Sequence, residues 1–338
     1  MKSIVSIIIP TLNEQDYILD CIRSVLNFDI PGGYEIEIII ADGMSIDNTR
    51  ELIRKNFPSS AVSIIDNEAV YQANGINKAI QLSKGDFIMR LDAHAIYPED
   101  YLKRCVKLIN DTGADNVGGA VITLKGAETF SAKLVQSLTT HPFGVGDSTF
   151  RTGEYIGEVD TVPYGFFRKS IFKKVGLFNE KLIRAQDYEF NRRIKKEGGK
   201  IYIDTSIKIN YFNQAALSSF YSKQFFKEAP YNAYMWYLAP YTFTLRHVIT
   251  AIFSAGIIIG SLLLFVHFLF MYVFVGSLFL YGILAVMSSS QQARRYDDIR
   301  LLVILPFCFF GFHFIHGLGV LKGCLLLIFG KSPVQQGE

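Results

Sequence analysis

The sequence contains few of the residues that mark disulfide-rich, zinc-binding or nucleic-acid-binding proteins. Four cysteines occur in 338 residues without a CxxC or other zinc-ligand spacing, which excludes a disulfide scaffold and a zinc finger. The net charge of +3 is too small to indicate a nucleic-acid partner. Charged residues make up 19% of the chain and hydrophobic ones 50%, a balance that excludes intrinsic disorder. With a mean hydropathy of +0.23, the chain is too apolar to be wholly water-soluble.

Charged side chains are missing from two long stretches in the last third of the chain. Residues 248–287 contain no Asp, Glu, Lys, Arg, Asn or Gln, and the run 301–321 is similarly apolar. A helix of roughly 20 apolar residues crosses a hydrocarbon core of about 30 Å. We therefore predict membrane spans at about 248–267, 268–287 and 301–321. A soluble domain of buried helices is the alternative, and a charge-free run of forty residues disfavours it.

Basic residues beside these stretches predict how the chain is oriented. Arg246 and His247 precede the first span, and Arg294, Arg295 and Arg300 precede the third. A two-span hairpin brings both groups to one side of the membrane, which the positive-inside rule makes cytoplasmic. We expect a multi-pass protein of the inner (cytoplasmic) membrane whose N-terminal region faces the cytoplasm. The stretch 216–247 is rich in aromatic residues and predicts amphipathic interfacial helices, with a plain linker helix as the alternative.

The first 215 residues alternate between short apolar runs and segments of helical periodicity. Strands are predicted at 5–9, 36–41, 62–65 and 86–91, and helices at 17–26, 48–57 and 74–83. Strands that are apolar throughout and separated by helices indicate a parallel sheet covered on both faces. Ligands of such sheets bind beyond the carboxyl ends of the strands. Polar residues follow the strands at that edge: Thr11, Asn13, Glu14, Asp42 and Asp92.

Three segments at this edge carry a resemblance to a known family. They are Ile8-Ile9-Pro10-Thr11-Leu12-Asn13-Glu14, Ala41-Asp42-Gly43-Met44-Ser45-Ile46-Asp47-Asn48-Thr49 and Arg90-Leu91-Asp92-Ala93-His94. Their order and spacing resemble family 2 glycosyltransferases of the GT-A fold, and are most similar to the succinoglycan-type bacterial exopolysaccharide glucosyltransferases. The resemblance implies a Rossmann-like α/β domain with a mixed, mainly parallel sheet at 1–215. Interfacial helices at 216–247 and an all-α transmembrane region at 248–330 would follow it.

The resemblance also implies a nucleotide-sugar donor, which we expect to be a UDP-sugar. The donor-binding residues carried over are Pro10, Thr11, Asn13, Glu14, Asp42, Arg90 and Asp92. Asp42 matches the family's uracil-reading aspartate, with a turn-forming role as the alternative. The donor diphosphate requires a divalent cation, and the family supplies an Asp-x-Asp pair for it. Here Asp92 and His94 take those positions, a set that suits Mn²⁺ or Mg²⁺, and imidazole is better tolerated by Mn²⁺. His94 has the alternative of a hydrogen bond to a phosphate.

Two downstream segments resemble the family's sugar pocket and its base. Tyr164, Gly165 and Phe166 match a glycine-and-aromatic segment beside the donor sugar and the acceptor; a core strand with a turn is the alternative interpretation. Asp187 matches the aspartate that deprotonates the acceptor hydroxyl in an inverting displacement. The residue before it is Gln186, where the family usually has Glu.

These observations predict a membrane-bound, metal-dependent, inverting glycosyltransferase in polysaccharide biosynthesis. Its acceptor would be a polyprenyl-diphosphate-linked saccharide at the membrane. The sequence leaves open whether the protein forms a homo-oligomer. Two alternatives remain, a subunit of a processive synthase and a non-catalytic nucleotide-binding membrane scaffold. The processive synthases carry a Gln-x-x-Arg-Trp segment, which this sequence does not match.

Overall fold

The computed structural model describes residues 2–146 and 148–336, which form two compact units. One unit contains Met1–Ile122 and Gly153–Phe212, and the other contains Thr123–Thr152 and Asn213–Glu338. The change of unit after Phe212 lies close to the predicted boundary at 215. The segment Thr123–Thr152 differs from the prediction, because it groups with the C-terminal helices.

The first unit is built on a nine-stranded mixed sheet. The strands are β1 Ser3–Thr11, β2 Tyr34–Asp42, β3 Val62–Asp66, β4 Phe87–Arg90, β5 Ala95–Ile96, β6 Asn116–Leu124, β7 Ile156–Glu158, β8 Phe166–Arg168 and β9 Ile201–Phe212. Their order across the sheet is β3-β2-β1-β4-β8-β6-β9-β5, with β7 paired to β9. Helices of this unit are α1 Ile18–Leu26, α2 Thr49–Asn56, α3 Gln72–Leu82, α4 Tyr101–Thr112, α8 Ser170–Val175 and α9 Gln186–Lys196. All seven predicted elements are present, with ends displaced by up to two residues.

Parallel pairing of the first four strands creates the edge at which the site forms. β1 pairs in parallel with both β2 and β4, and β2 pairs in parallel with β3. The pairing β1 to β2 ends at Thr11 opposite Asp42. The β-branched residues of β1 are buried, and the pairing of β1 with β2 brings the polar residues Thr11 and Asp42 together where the two strands end. β8 then joins β4 in the antiparallel sense and brings residues 163–168 to the same sheet.

A cluster of phenylalanines holds α9 against this unit. Phe190 is fully buried and stacks on Phe172 and Phe178, with ring centroids 5.2 and 4.4 Å apart. Offset stacking of this kind stabilises by about 0.5–1.5 kcal/mol per pair beyond the area buried. Phe190 lies three residues after Asp187, so these rings determine where the first turn of α9 sits.

The second unit is helical in its described residues. Its α-helices are α5 Phe130–Thr139, α6 Pro142–Val145, α7 Thr149–Thr152, α10 Leu217–Lys223, α11 Ala229–Leu238, α12 Leu245–Leu263, α13 Phe268–Arg295 and α14 Arg300–Ile328. A π-helical turn, Gln224–Glu228, joins α10 to α11, and short 3₁₀ turns occupy Pro240–Thr242 and Pro333–Gln336.

Apolar contacts explain why α5 belongs to the second unit. Leu134, Val135 and Leu138 of this helix are buried together with Leu305 and Phe309 of α14. A polar contact joins α5 to α13 as well, because Gln292 Nε2 donates to the Ser137 carbonyl at 2.6 Å. Helical periodicity predicts an apolar face on α5 but not the apolar surface that covers it, and for this reason the predicted assignment of the segment differs.

Three helices in the described part of the chain are long and apolar enough to cross a membrane: α12, α13 and α14. Their number agrees with the prediction; α13 and α14 extend beyond the predicted spans, whereas α12 ends at Leu263, before the predicted end at 267. α13 begins at Phe268, the predicted start of the second span, where the His267 side chain accepts a hydrogen bond from the Leu269 backbone nitrogen at 3.1 Å.

Glycines of α14 allow neighbouring helices to approach closely. A Cβ on Gly317 would lie 2.0 Å from the Thr250 carbonyl oxygen of α12, and one on Gly323 would lie 2.6 Å from the Pro230 carbonyl oxygen of α11. Small residues at helix contacts are typical of membrane proteins, where packing replaces the hydrophobic effect as the driving force. The segment predicted to be interfacial therefore packs along α14.

We expect Gly317→Ala to destabilise the protein, because the added methyl group meets the backbone of α12. The expected loss is about 1–3 kcal/mol, measured as a lower Tm of the detergent-purified chain. Gly282→Ala in α13 is the matched control, since no atom lies within 4 Å of its added Cβ. Equal Tm values for the two variants would contradict this account of the helix packing.

Candidate active site

Two loops at the carboxyl edge of the sheet are joined by hydrogen bonds. The Asn13 backbone nitrogen donates to Ser45 Oγ at 2.9 Å, and Asn13 Oδ1 accepts from the Ile46 backbone nitrogen at 2.9 Å. The Glu14 backbone nitrogen donates to Thr49 Oγ1 at 2.8 Å. The loops after β1 and β2 are thus held together, and they carry the predicted donor residues Asn13 and Glu14.

Asp42 is fully buried and bonded within its own loop. Its carboxylate accepts from the Ser45 backbone nitrogen at 3.0 Å and from Ser45 Oγ at 2.6 Å, and Arg50 Nη1 lies 3.4 Å away. The structure therefore gives Asp42 a role in shaping the loop, which was the alternative interpretation. Its contact with a uracil base stays a prediction.

The centre of the site is a buried arginine shared by two aspartates. Arg90 Nη2 lies 2.7 Å from Asp92 Oδ1, and Arg90 Nη1 lies 3.1 Å from Asp187 Oδ2. The Arg90 side chain is only 5% exposed, and its guanidinium lies over the Tyr164 ring, 5.7 Å from the centroid. Residues that the sequence separates widely are therefore brought together. The predicted base, Asp187, and the predicted metal ligand, Asp92, contact the same side chain.

The charges of this cluster shift the pKa values of its members. Burial alone lowers the pKa of Arg90, but the Asp187 and Asp92 carboxylates outweigh it and raise the pKa, so Arg90 stays charged. For Asp187, desolvation raises the pKa above its ordinary value. Arg90 opposes that rise and Asp92 adds to it. A carboxylate with a raised pKa is a stronger base than a free aspartate, which suits a group that must accept a proton.

Two glutamines complete the cluster, and sequence reasoning missed one of them. Gln72 Nε2 donates to Asp92 Oδ1 at 3.5 Å, and Gln186 Nε2 donates to Gln72 Oε1 at 2.5 Å. An ionised carboxylate only accepts hydrogen bonds, so Gln72 must turn its amide NH₂ toward Asp92 and its oxygen toward position 186. Gln186 can then donate where an ionised Glu could not. The only signal for Gln72 in the sequence is its place just beyond β3.

His94 faces Glu14 across the edge of the site. Its Nδ1 lies 3.0 Å from Glu14 Oε1, and its ring centroid is 5.5 Å from that of Tyr211. Asp92 and His94 are 15% and 34% exposed. In the described residues no group of three or more His, Cys, Asp or Glu side chains is placed to hold a metal ion. One carboxylate and one imidazole fit a cation that takes its remaining ligands from a diphosphate and water, as Mg²⁺ and Mn²⁺ sites commonly do.

The predicted sugar pocket is divided between the site and the core. Tyr164 has a positive φ of 66° and packs beside Arg90, and the Gly165 carbonyl accepts from the Arg90 backbone nitrogen at 3.0 Å. The Phe166 ring is fully buried in β8 and stacks on Phe87, with centroids 5.3 Å apart. Phe166 therefore follows the alternative interpretation of a core strand, because β8 lies between β4 and β6 inside the sheet and both of its phenylalanines are buried.

Backbone strain is concentrated in the loops around the cluster. Six non-glycine residues of the described chain have positive φ, and five lie in these loops: Asn13, Met44, Val70, Tyr164 and Ala185. Each such residue costs about 1–3 kcal/mol and persists where the surroundings hold it. Ala185 is the residue before α9, so its left-handed conformation sets the direction in which Gln186 and Asp187 leave the loop.

The sequence profile of Glycosyl transferase family 2 matches residues 6–176, about half of the chain. The chain belongs to this family. A mannosyltransferase from Pyrobaculum calidifontis, solved with GDP-Man and Mn²⁺, superposes with a TM-score of 0.60 at 14% identity, covering 98% of this chain and 89% of that one. This likeness shows the GT-A fold, which confirms the predicted fold class.

Two relatives extend the comparison with other members of the family. The dolichyl N-acetyl-alpha-D-glucosaminyl phosphate 3-beta-D-2,3-diacetamido-2,3-dideoxy-beta-D-glucuronosyltransferase of Methanococcus voltae is 28% identical over 97% of this chain and 98% of its own length. The succinoglycan biosynthesis protein ExoA of Rhizobium meliloti (strain 1021) is 33% identical over 62% of this chain and 64% of its own length. The first similarity therefore extends through the helical C-terminal part.

We expect Gln186→Glu to reduce kcat/KM about tenfold, although Glu is the usual family residue. An ionised glutamate at this position only accepts hydrogen bonds, so its oxygen would face the Gln72 oxygen with no proton between them. An unsatisfied buried acceptor costs about 1–3 kcal/mol. The measurement is steady-state sugar transfer by the purified chain. Gln72→Met removes the partner, so Gln186→Glu should lose much less activity when added to that variant. Additive losses in the double variant would show that the two glutamines act independently.

Proposed function

We propose that this glycosyltransferase moves a sugar, with inversion, from a UDP-sugar to a polyprenyl-diphosphate-linked saccharide at a membrane. The observation that carries the proposal is the sharing of Arg90 between Asp92 and Asp187 at the carboxyl edge of the sheet. It supports the proposal because Asp92, which suits a cation bound to the donor diphosphate, and Asp187, which suits deprotonation of the acceptor, contact the same guanidinium.

The donor would lie across the surface that the loops after β1 and β2 form. Thr11, Asn13 and Glu14 would face the nucleoside, and Asp92 and His94 would face the diphosphate. A divalent cation held there, Mn²⁺ or Mg²⁺, supplies neutralisation of the charge that develops on the leaving diphosphate. Arg90, fixed in its charged form, keeps positive charge beside the same carboxylate in the absence of substrate.

Asp187 would act as the general base of a single displacement. Its carboxylate takes the proton of the acceptor hydroxyl as that oxygen attacks the anomeric carbon. The bond to the nucleoside diphosphate breaks on the opposite face, so the configuration inverts without a covalent glycosyl-enzyme intermediate. At 35% exposure the Asp187 side chain is open enough to meet an acceptor and buried enough for its pKa to rise.

The helical C-terminal part supports a lipid-linked acceptor. Three of its helices have the length and apolarity of membrane spans. The Methanococcus voltae relative, similar over nearly its whole length, is named for transfer to a dolichyl-phosphate-linked sugar. We place the chain in the inner (cytoplasmic) membrane with its catalytic unit in the cytoplasm, because the basic residues flanking the spans predict that orientation.

We expect Asp187→Asn to lower transfer about a thousandfold and to leave UDP-sugar binding unchanged. The assay incubates the full-length chain with Mn²⁺, a panel of nucleotide sugars and membrane lipid extract, and identifies the lipid-linked product by mass. Asp20→Asn, an exposed aspartate of α1, is the matched control. No product from wild type with any donor, together with intact UDP binding, would favour the non-catalytic scaffold.

The pH profile of kcat tests the same role from a different direction. Because the pKa of Asp187 is raised, the acid limb should lie above the ordinary aspartate value of about 3.9. Arg90 lowers the pKa of Asp187, so Arg90→Gln should move the limb to higher pH as well as reduce kcat. A limb that stays in place, or moves to lower pH, would exclude Asp187 as the titrating base.

A further inference from the structure

Side chains of α12 and α13 line a partly open cavity of about 450 Å³. Nearly all of its wall is apolar, and the side chains that line it include Leu263, Phe270, Phe274 and Leu284. Two glycines of α12, Gly256 and Gly260, also line it. Both helices have the length and composition of membrane spans, so the wall of the cavity suits a hydrocarbon occupant.

The cavity is longer than one leaflet of a bilayer. Its lining residues on α13 run from Phe270 to Leu284, a rise of about 21 Å at 1.5 Å per residue. Half of the hydrocarbon core measures about 15 Å. Leu284 lies three residues before Met287, where the charge-free run ends, so the cavity begins near one membrane face and passes the midplane. A single chain that fills it must be longer than one leaflet.

Polar and basic groups follow the cavity on the same helix. At its wall, the Tyr281 hydroxyl lies 2.9 Å from His313 Nδ1. Further along α13, Gln291 bonds His141 at 2.8 Å, and Arg295 Nη1 donates to the Thr140 carbonyl at 3.0 Å. Arg294 is exposed in the same turn. The order of hydrocarbon, hydrogen-bonding groups and then cations matches a lipid with a long tail and a phosphate head.

We propose that this cavity binds the polyisoprenoid chain of the lipid acceptor, with the phosphate end toward Arg294 and Arg295. The identity of the lipid rests on the proposed function; the length and polarity of the site rest on the helices themselves. The acyl tail of a phospholipid in the basic-side leaflet ends near the midplane, whereas a polyprenyl chain continues past it.

Glycine at position 256 keeps the cavity open, which makes the proposal testable by filling it. A Cβ added at Gly256 meets no atom within 4 Å, so the first carbon of a leucine there enters open space at the wall of the cavity. Gly276 of α13 also has open space around an added Cβ, but it does not line the cavity. The variants Gly256→Leu and Gly276→Leu therefore add the same side chain, and only the first occupies the site.

The binding experiment uses the full-length chain in phosphatidylglycerol vesicles containing a trace of undecaprenyl phosphate. Lipid that copurifies with the extracted protein is counted by native mass spectrometry. We expect wild type and Gly276→Leu to retain the polyprenyl lipid, and Gly256→Leu to retain at least tenfold less of it. Retention of phosphatidylglycerol alone by wild type, or equal retention of undecaprenyl phosphate by all three proteins, would overturn the proposal.

A transfer assay separates this proposal from the proposed function. For Gly256→Leu we expect the KM of a long-chain acceptor to rise about tenfold, with the KM of a ten-carbon analogue unchanged. Polyprenyl binding without transfer to any acceptor would contradict the proposed function but support the proposed binding site. Normal transfer to the long-chain acceptor by Gly256→Leu would contradict the proposed binding site but support the proposed function.

Discussion

The buried guanidinium of Arg90 is the group on which the site depends. Two carboxylates cannot lie close together in a partly dry environment unless a positive charge is shared between them, and Arg90 supplies it to Asp92 and Asp187. The arginine is at the last position of β4, so the sheet itself sets its place. Because both contacts come from one rigid planar group, a change at either carboxylate is felt by the other.

Hydrogen-bond polarity extends this constraint beyond the charged groups. The Asp92 carboxylate dictates which way the Gln72 amide faces, and Gln72 dictates in turn that position 186 must donate. The departure from the family's usual glutamate is therefore tied to a residue more than one hundred positions away. Gln186 is thus linked to Asp92 through Gln72, while its neighbour Asp187 contacts Arg90.

The helical unit follows a different physical rule if its three apolar helices cross a membrane as proposed, since apolar burial from water cannot drive contacts among helices in lipid. Its close contacts instead rely on missing side chains, as at Gly317 and Gly323, and on buried polar bonds such as that of Gln292. The same absence of a side chain that closes one contact leaves space at Gly256. Whether a glycine allows close helix contact or leaves a cavity depends on the helix opposite it.

The amino-acid sequence alone determines the strands, the helices and the three apolar spans, because their signals are local: β-branched runs, helical periodicity and long absences of charge. It also indicates Asp92 and Asp187 through motifs. Only the tertiary structure places Arg90 between them, reveals Gln72, turns Phe166 into the core and buries Asp42 in its own loop. It also assigns α5 to the helical unit. These outcomes depend on which surfaces and hydrogen-bonding groups meet across long sequence separations. Local sequence patterns do not predict such contacts.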